Sequence, residues 1–200
     1  MTSSDRSDRG QTLPIYMWLT VIVLFAALAF FAFAQAAAAR NGAQSAADAA
    51  ALAAAQEARE ELLVGLEESI GQDENWLEWL NGAPLRGAGA QAAADRLAAQ
   101  NDATVTGFGH VMVNGFSGYQ VEIETNYAAG DSIVPGTESL HAKARATAVL
   151  KPRCDVDPDA APAQMVELNC DGELFAVDPD QFHVGDLPDA SVFFSVHLAE

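Results

Sequence analysis

The chain has 200 residues, with 28 acidic against 10 basic side chains and a formal net charge of −18. Such a surface repels phosphate backbones and anionic lipid headgroups, which excludes nucleic acid as a partner. The only cysteines are Cys154 and Cys170, too few to hold a metal without further Cys or a nearby His.

Along the chain, no charge occurs between Gln11 and Ala39, and Leu13 to Ala34 is apolar apart from Thr20 and the flanking Pro14. As a helix, Leu13 to Ala34 spans roughly 33 Å, enough to cross a bilayer core of about 30 Å. Tyr16 and Trp18 lie near its start, where amphipathic rings favour the membrane interface. Pro14 falls in the first turn, where its missing N–H costs nothing. Residues 11–35 are therefore expected to form one transmembrane helix. Arg6 and Arg9 precede it and Arg40 alone follows, so positive charge favours a cytoplasmic tail over 1–10 and an exported remainder. A cleaved secretory signal, with the small residues of "AFAQA" at the cut, is the rival reading. The apolar run exceeds the usual h-region of about 7–15 residues.

Next comes "RNGAQSAADAAALAAAQ", Arg40 to Gln56, more than half alanine. Alanine is the best helix former because fixing it costs no rotamer entropy. Asn41, Gln44, Ser45 and Asp48 share one helical face, which predicts a wet stripe with Gln44 hydrogen-bonded to Asp48 four residues on. Ala47, Ala50 and Ala54 lie opposite, as a packing face for the following domain or a partner helix. A plain alanine spacer is the alternative. The helix is expected to continue as a stalk over 36–70, with Leu62, Leu63, Leu66 and Ile70 on one side.

The remainder, 71–200, reads as an exported α+β domain: helices on one face of a small antiparallel sheet. "GQDENWLEWLNGAP" predicts a short helix with Asp73 as N-cap and Gly82 as its end, putting Trp76, Leu77 and Leu80 in the core or in a docking patch. "LRGAGAQAAADRLAAQND" predicts a second alanine-rich helix closed by Asn101 and Asp102. "ATVTGFGHVMV" and "SGYQVEIETNY" then read as a hairpin, with Tyr119, Val121, Ile123, Thr125 and Tyr127 on the buried face. In "HAKARATAVL", Ala142, Ala144, Ala146 and Ala148 face one way, with Lys143, Arg145 and Thr147 opposite and in position to pair with Glu122 and Glu124. The proline- and aspartate-rich final fifth looks looser and ends in a strand, "ASVFFSVHL". A Cys154–Cys170 bridge would close a loop there, with two free thiols as the alternative.

Three patterns imitate catalytic or metal sites. Gly130-Asp131-Ser132 with Asp180 to His183 imitates the blocks of GDSL-type hydrolases, but the intervening sequence has no βα alternation to build that site. "DVDPDA" imitates a calcium loop, with Ala160 in place of its glycine and Val166 in place of its final glutamate. His110, His141, His183 and His197 share no ligand spacing. No cofactor, metal or small-molecule substrate is expected.

"DRGQTLPIYMWL", the single span and "RNGAQSAADAAALAAAQEAR" resemble the N-terminal region of TadG-like proteins of Flp (Tad) pilus assembly, of the actinobacterial type. Gln44, Ala47, Asp48, Ala49, Ala50, Ala51 and Leu52 match the family's Q-x-x-A-D-A-A-A-L signature, and the resemblance covers Arg9 to Arg59. It implies a minor pilin-like or pseudopilin-like envelope protein without catalysis, in contact with pilus-assembly or other envelope proteins through stalk and domain. It also implies prepilin-type cleavage between Gly10 and Gln11, although Ile15 stands where prepilins carry glutamate. After Arg40 there remain 26 acidic and 7 basic residues, a net of −19 that suits a soluble exported domain or one meeting basic envelope surfaces. A membrane-tethered binding domain unrelated to pili, or an envelope hydrolase, are the alternatives from other classes.

Overall fold

The computed structural model describes residues 12–73, 75–82, 87–128 and 140–199. Helix α1 runs unbroken over Thr12–Ser69. No proline follows Pro14 within it, and Gly71, with a φ of 75°, ends the turn after the helix. Its first half exposes large apolar side chains from Leu13 to Phe33. Its second half is the reverse: from Ala43 to Ile70 it lies in the main core, with Leu62, Leu66 and Ile70 buried and Leu63 partly so. The segment expected as a stalk over 36–70 is thus the central helix of the domain for most of its length.

A 3-10 helix, Trp76–Asn81, follows. Asn75, not Asp73, occupies its N-cap, and no side chain caps it there. Asp73 instead closes a tight turn one step earlier, its Oδ1 accepting the Asn75 N–H at 2.9 Å. A short polar side chain competes for local backbone donors in this way wherever the chain has not yet turned helical. Gly82 ends the element at φ 67°, as its sequence position predicts. Trp76 and Leu80 are buried and Leu77 is partly so.

Helix α2, Ala90–Gln100, runs back along α1 and leads through Asn101 and Asp102 into β1, Ala103–Val113. β1 pairs with β2, Phe116–Ala128, across an Asn114-Gly115 turn in which both residues have positive φ, as a type I′ hairpin requires. A register shift at Thr106 lets the pattern slip by one. β3, His141–Pro152, and the last strand, β7, Phe194–Leu198, complete a four-stranded antiparallel sheet in the order β1-β2-β3-β7. Three short strands intervene: β4 Cys154–Val156, β5 Val166–Cys170 and β6 Glu173–Val177 form a separate antiparallel sheet. The fold is α+β.

The C-terminal fifth is more ordered than its proline and aspartate content suggests. The alternation in "VELNC" buries Val166, Leu168 and Cys170. The segment expected as one strand, "ASVFFSVHL", divides into a helical turn α3, Ala190–Phe193, and β7, Phe194–Leu198. Asp189 accounts for the division. Its carboxylate accepts the Ser191 N–H at 2.8 Å and starts a helical turn before the strand can begin.

Candidate interaction site

What lets α1 lie on the sheet is the size of the residues between them. Both α1 and α2 cover one face: α2 lies over β1, and α1 over β2, β3 and β7. Ala47, Ala50 and Ala54 are fully buried there, together with Ala43, Ala46 and Ala51. The facing strand presents Ala146 and Ala148, also buried. Methyl groups on both sides allow close approach, and close packing is where dispersion contacts are gained. Ala47, Ala50 and Ala54 therefore meet this chain's own domain. Asn41, Gln44 and Ser45 remain exposed, with Asp48 half-buried. Gln44 donates to Asp48 at 2.8 Å and also reaches the Arg145 carbonyl at 3.4 Å.

Leucine at Ala50 is expected to destabilise the domain by about 1–3 kcal/mol through overpacking, with helix propensity almost unchanged. Gln44→Leu, on the wet stripe, should cost well under that. Thermal midpoints of the two variants in the same detergent check this, and equal midpoints would refute the packing assignment.

Two glycines mark close approaches along the same helix. A Cβ at Gly42 would meet the Tyr127 hydroxyl, and one at Gly65 would enter the Trp79 indole. Glycine inside an otherwise alanine-rich helix was the available sequence signal for both. Glu61 carries a role that composition did not reveal: its carboxylate accepts the N–H groups of Ala88 at 3.0 Å and Gly89 at 2.6 Å, at the start of α2. An anion there satisfies donors that the helix leaves unpaired and complements its dipole. Glu57, Glu60, Glu61, Glu68, Gly65 and Trp79 line a groove beside it.

Tyr119 sits just below this point, its hydroxyl against Gly87 and its ring stacked on Phe108 at 5.2 Å. Burial, and then the nearby Glu61 carboxylate, raise its pKa above the ordinary 10.0. A raised folded-state pKa means that stability is fully present below about pH 10 and declines as pH climbs toward the folded value. Between about pH 9 and pH 11 the wild-type midpoint should accordingly fall further than that of Tyr119→Phe. Parallel slopes for the two would show that Tyr119 does not couple to folding.

The outer sheet face pairs Glu122 with Arg145 at 2.6 Å and Glu124 with Lys143 at 3.1 Å, as their opposed positions predict. Lys143 and Arg145 are exposed and the two glutamates half-buried on this open face, so each pair contributes at most about 1 kcal/mol.

Asp131 and Ser132 lie outside the described residues. Asp180 donates its N–H to Asp178 in a surface turn, and exposed His183 stands 3.7 Å from Asp186. His110 lies edge-on to Tyr119, the His141 Nδ1 contacts the Thr125 carbonyl at 2.7 Å, and His197 pairs with Val149 in the sheet. Asp157, in the loop that imitates a calcium site, turns its carboxylate onto the Asp159 N–H. No group of acidic, His or Cys residues fit to hold a metal occurs among the described residues. Cys154 and Cys170 are joined in a disulfide across β4 and β5. Gly10 and Gln11 lie outside the described residues.

Fold and helix together define an α+β domain built on a helix long and apolar enough to cross a bilayer. Residues 10–57 match the family Tad (Putative Flp pilus-assembly TadE/G-like). That span takes in the apolar half of α1 and nearly all of its buried alanine face, stopping one residue short of Ala58. No curated protein and no solved structure matches the chain.

Proposed function

We propose that the chain is a minor pilin-like or pseudopilin-like component of Flp (Tad) pilus assembly, acting through protein–protein contacts and not by catalysis. The observation that carries this reading is the continuity of α1 across the family match. One rigid helix carries an apolar half exposed along its length and an alanine half sealed into the domain. A protein whose anchor and core are one element transmits position, which suits an assembly component. In this reading the tail 1–10 is cytoplasmic, α1 crosses the cell membrane once, and the acidic domain is extracellular, where Cys154 and Cys170 oxidise. Partners are other pilus-assembly or envelope proteins. Cleavage between Gly10 and Gln11 belongs to the same proposal, and the mature N-terminal sequence tests it.

The topology has a direct test. Single cysteines at Ser3 and at Met112 should differ in intact cells: the first resists a membrane-impermeant thiol reagent and the second reacts. The reverse pattern would overturn the orientation. Native co-purification of the full chain with other pilus-assembly proteins tests the role itself, and recovery of the chain alone would count against it.

A further inference from the structure

Asparagine is followed by glycine three times, at Asn41-Gly42, Asn81-Gly82 and Asn114-Gly115, and aspartate by glycine once, at Asp171-Gly172. These pairs share a chemistry. The backbone nitrogen of the glycine can attack the side-chain Cγ of the residue before it and close a five-membered succinimide ring. Glycine favours the step because no Cβ crowds the nitrogen or restricts the rotation that brings it round. The attack needs a free N–H, an electrophilic side chain and a backbone able to leave its resting conformation.

The four pairs differ in all three respects. Gly42 lies inside α1, where its N–H belongs to the helical ladder. The Gly82 N–H donates to the Trp79 carbonyl at 3.0 Å. The Gly172 N–H donates to the Asn169 Oδ1 at 2.8 Å, and the Asp171 carboxylate, a poor electrophile when ionised, is held by Arg153 at 2.6 Å. At Asn114-Gly115 no hydrogen bond to the Gly115 N–H or to the Asn114 side chain occurs among the described residues. Both residues are exposed, and a Cβ built on Gly115 would meet nothing within 4 Å. The comparison with Asp171-Gly172 is direct because the two backbones match. Their φ values are 51° and 86° in one turn and 52° and 93° in the other, and each pair forms a two-residue loop between paired strands. Exposed loop tips open locally at little cost, so the unrestrained turn can reach the conformation that reacts.

We propose that Asn114 is a covalent modification site, converted without an enzyme to aspartate and isoaspartate. The Gly115 nitrogen loses its proton as it bonds to the Asn114 Cγ, and the side-chain nitrogen leaves as ammonia. Water then opens one of the two C–N bonds of the imide. Opening on the side-chain bond restores an ordinary backbone, with aspartate at position 114. Opening on the other runs the backbone through the side-chain carbons and lengthens it by one atom. Either product places a negative charge on a hairpin that has no Asp, Glu, Lys or Arg from Ala103 to Val121. Aspartate fits this turn, as Asp171-Gly172 demonstrates. Isoaspartate does not. A two-residue loop sets the register of its strands, so the added atom strains the pairing of Val113 with Phe116 and loosens that end of the hairpin.

The test uses the full-length wild-type chain in detergent, aged at physiological temperature at neutral and at mildly alkaline pH. Digestion at acidic pH and mass spectrometry read the amide-to-acid conversion at each pair, and chromatography separates isoaspartyl from aspartyl peptides. Conversion at Asn114 should outrun that at Asn41 and Asn81 at least several-fold, and should quicken as pH rises because the attacking nitrogen must lose its proton. In denaturant the three should convert at similar rates, which assigns the difference to the fold. Equal rates at the three sites in the folded chain, or an Asn114 that stays amidated while the unfolded chain converts, would overturn the proposal. The lengthened backbone has its own control. The aged chain, enriched in isoaspartate, should melt several degrees below the fresh chain, while Asn114→Asp should melt like the wild type. A fall in Asn114→Asp as large as that in the aged chain would overturn the assignment to the added atom.

Discussion

Replacing Trp76 by alanine is expected to cost about 3–5 kcal/mol, the range for removing a large buried aromatic side chain. Trp76 is fully buried and belongs to the core shared by α1 and the sheet. Its indole N–H also donates to the Pro162 carbonyl at 2.9 Å, joining the 3-10 helix to the C-terminal fifth of the chain. Truncation would open a cavity and leave that carbonyl without its partner. Phenylalanine separates the two effects: it keeps much of the bulk, so its smaller loss reports mainly the missing hydrogen bond, about 1–3 kcal/mol. Trp79, only partly buried against Gly65, should tolerate alanine far better. Denaturant unfolding of the full chain in detergent, followed by circular dichroism, checks all three. A Trp76→Ala loss no larger than that of Trp79→Ala would show that residue 76 does not anchor the core.

The second large effect concerns the disulfide. Changing Cys154 and Cys170 together to serine should destabilise the protein by about 3 kcal/mol, because the bridge closes a loop of sequence separation 16. For a protein of this size, that corresponds to a fall in thermal midpoint of about 6–12 °C. β4 is only three residues long, and the bridge ties its first residue to the last residue of β5. Arg153 reinforces the same corner, bonded to Asp171 at 2.6 Å and to the Ser191 carbonyl at 2.8 Å. Those contacts should preserve the four-stranded sheet while the smaller one loosens. A reductant should lower the wild-type midpoint toward that of the variant and leave the variant unmoved. A wild-type midpoint insensitive to full reduction would mean that packing alone holds the corner.

How far sequence reached depended on whether the deciding interaction was local. The apolar run from Leu13, the Asn114-Gly115 hairpin and the alternation from Tyr119 to Thr125 were all readable, because each rests on periodicity or on a residue's own backbone preference. The register that brings Glu122 to Arg145 followed from the same alternation. Tyr127 carries the right phase yet stays 40% exposed, since α1 narrows to Gly42 at that level and offers it a hydroxyl contact instead of a cover. The alanine face at Ala47, Ala50 and Ala54 was visible as a face, but periodicity along one helix does not say which surface meets it. Glu61 at the start of α2 was beyond reach for a related reason: it joins residues 27 and 28 positions apart. The small sheet was missed because strands of three to five residues, interleaved with Asp and Glu, resemble a solvated loop until their partners are known.

The placement of β7 constrains the order of events in the chain's life. The strand that borders β3 is Phe194–Leu198, and it packs against α1, whose core half begins near Ala43. Phe193 and Phe194 fill that core, so the chain cannot finish it until about 150 further residues have been delivered after the helix. Emerging from a ribosome or through a translocation channel, α1 is among the first segments out, yet its alanine surface must wait for the last strand. During that interval the core between α1 and the sheet lacks its last strand, whatever local hairpins have already formed. In the orientation proposed above, a secretion channel that passes only extended polypeptide would meet an unfinished core, and completion of the domain would fall on the far side.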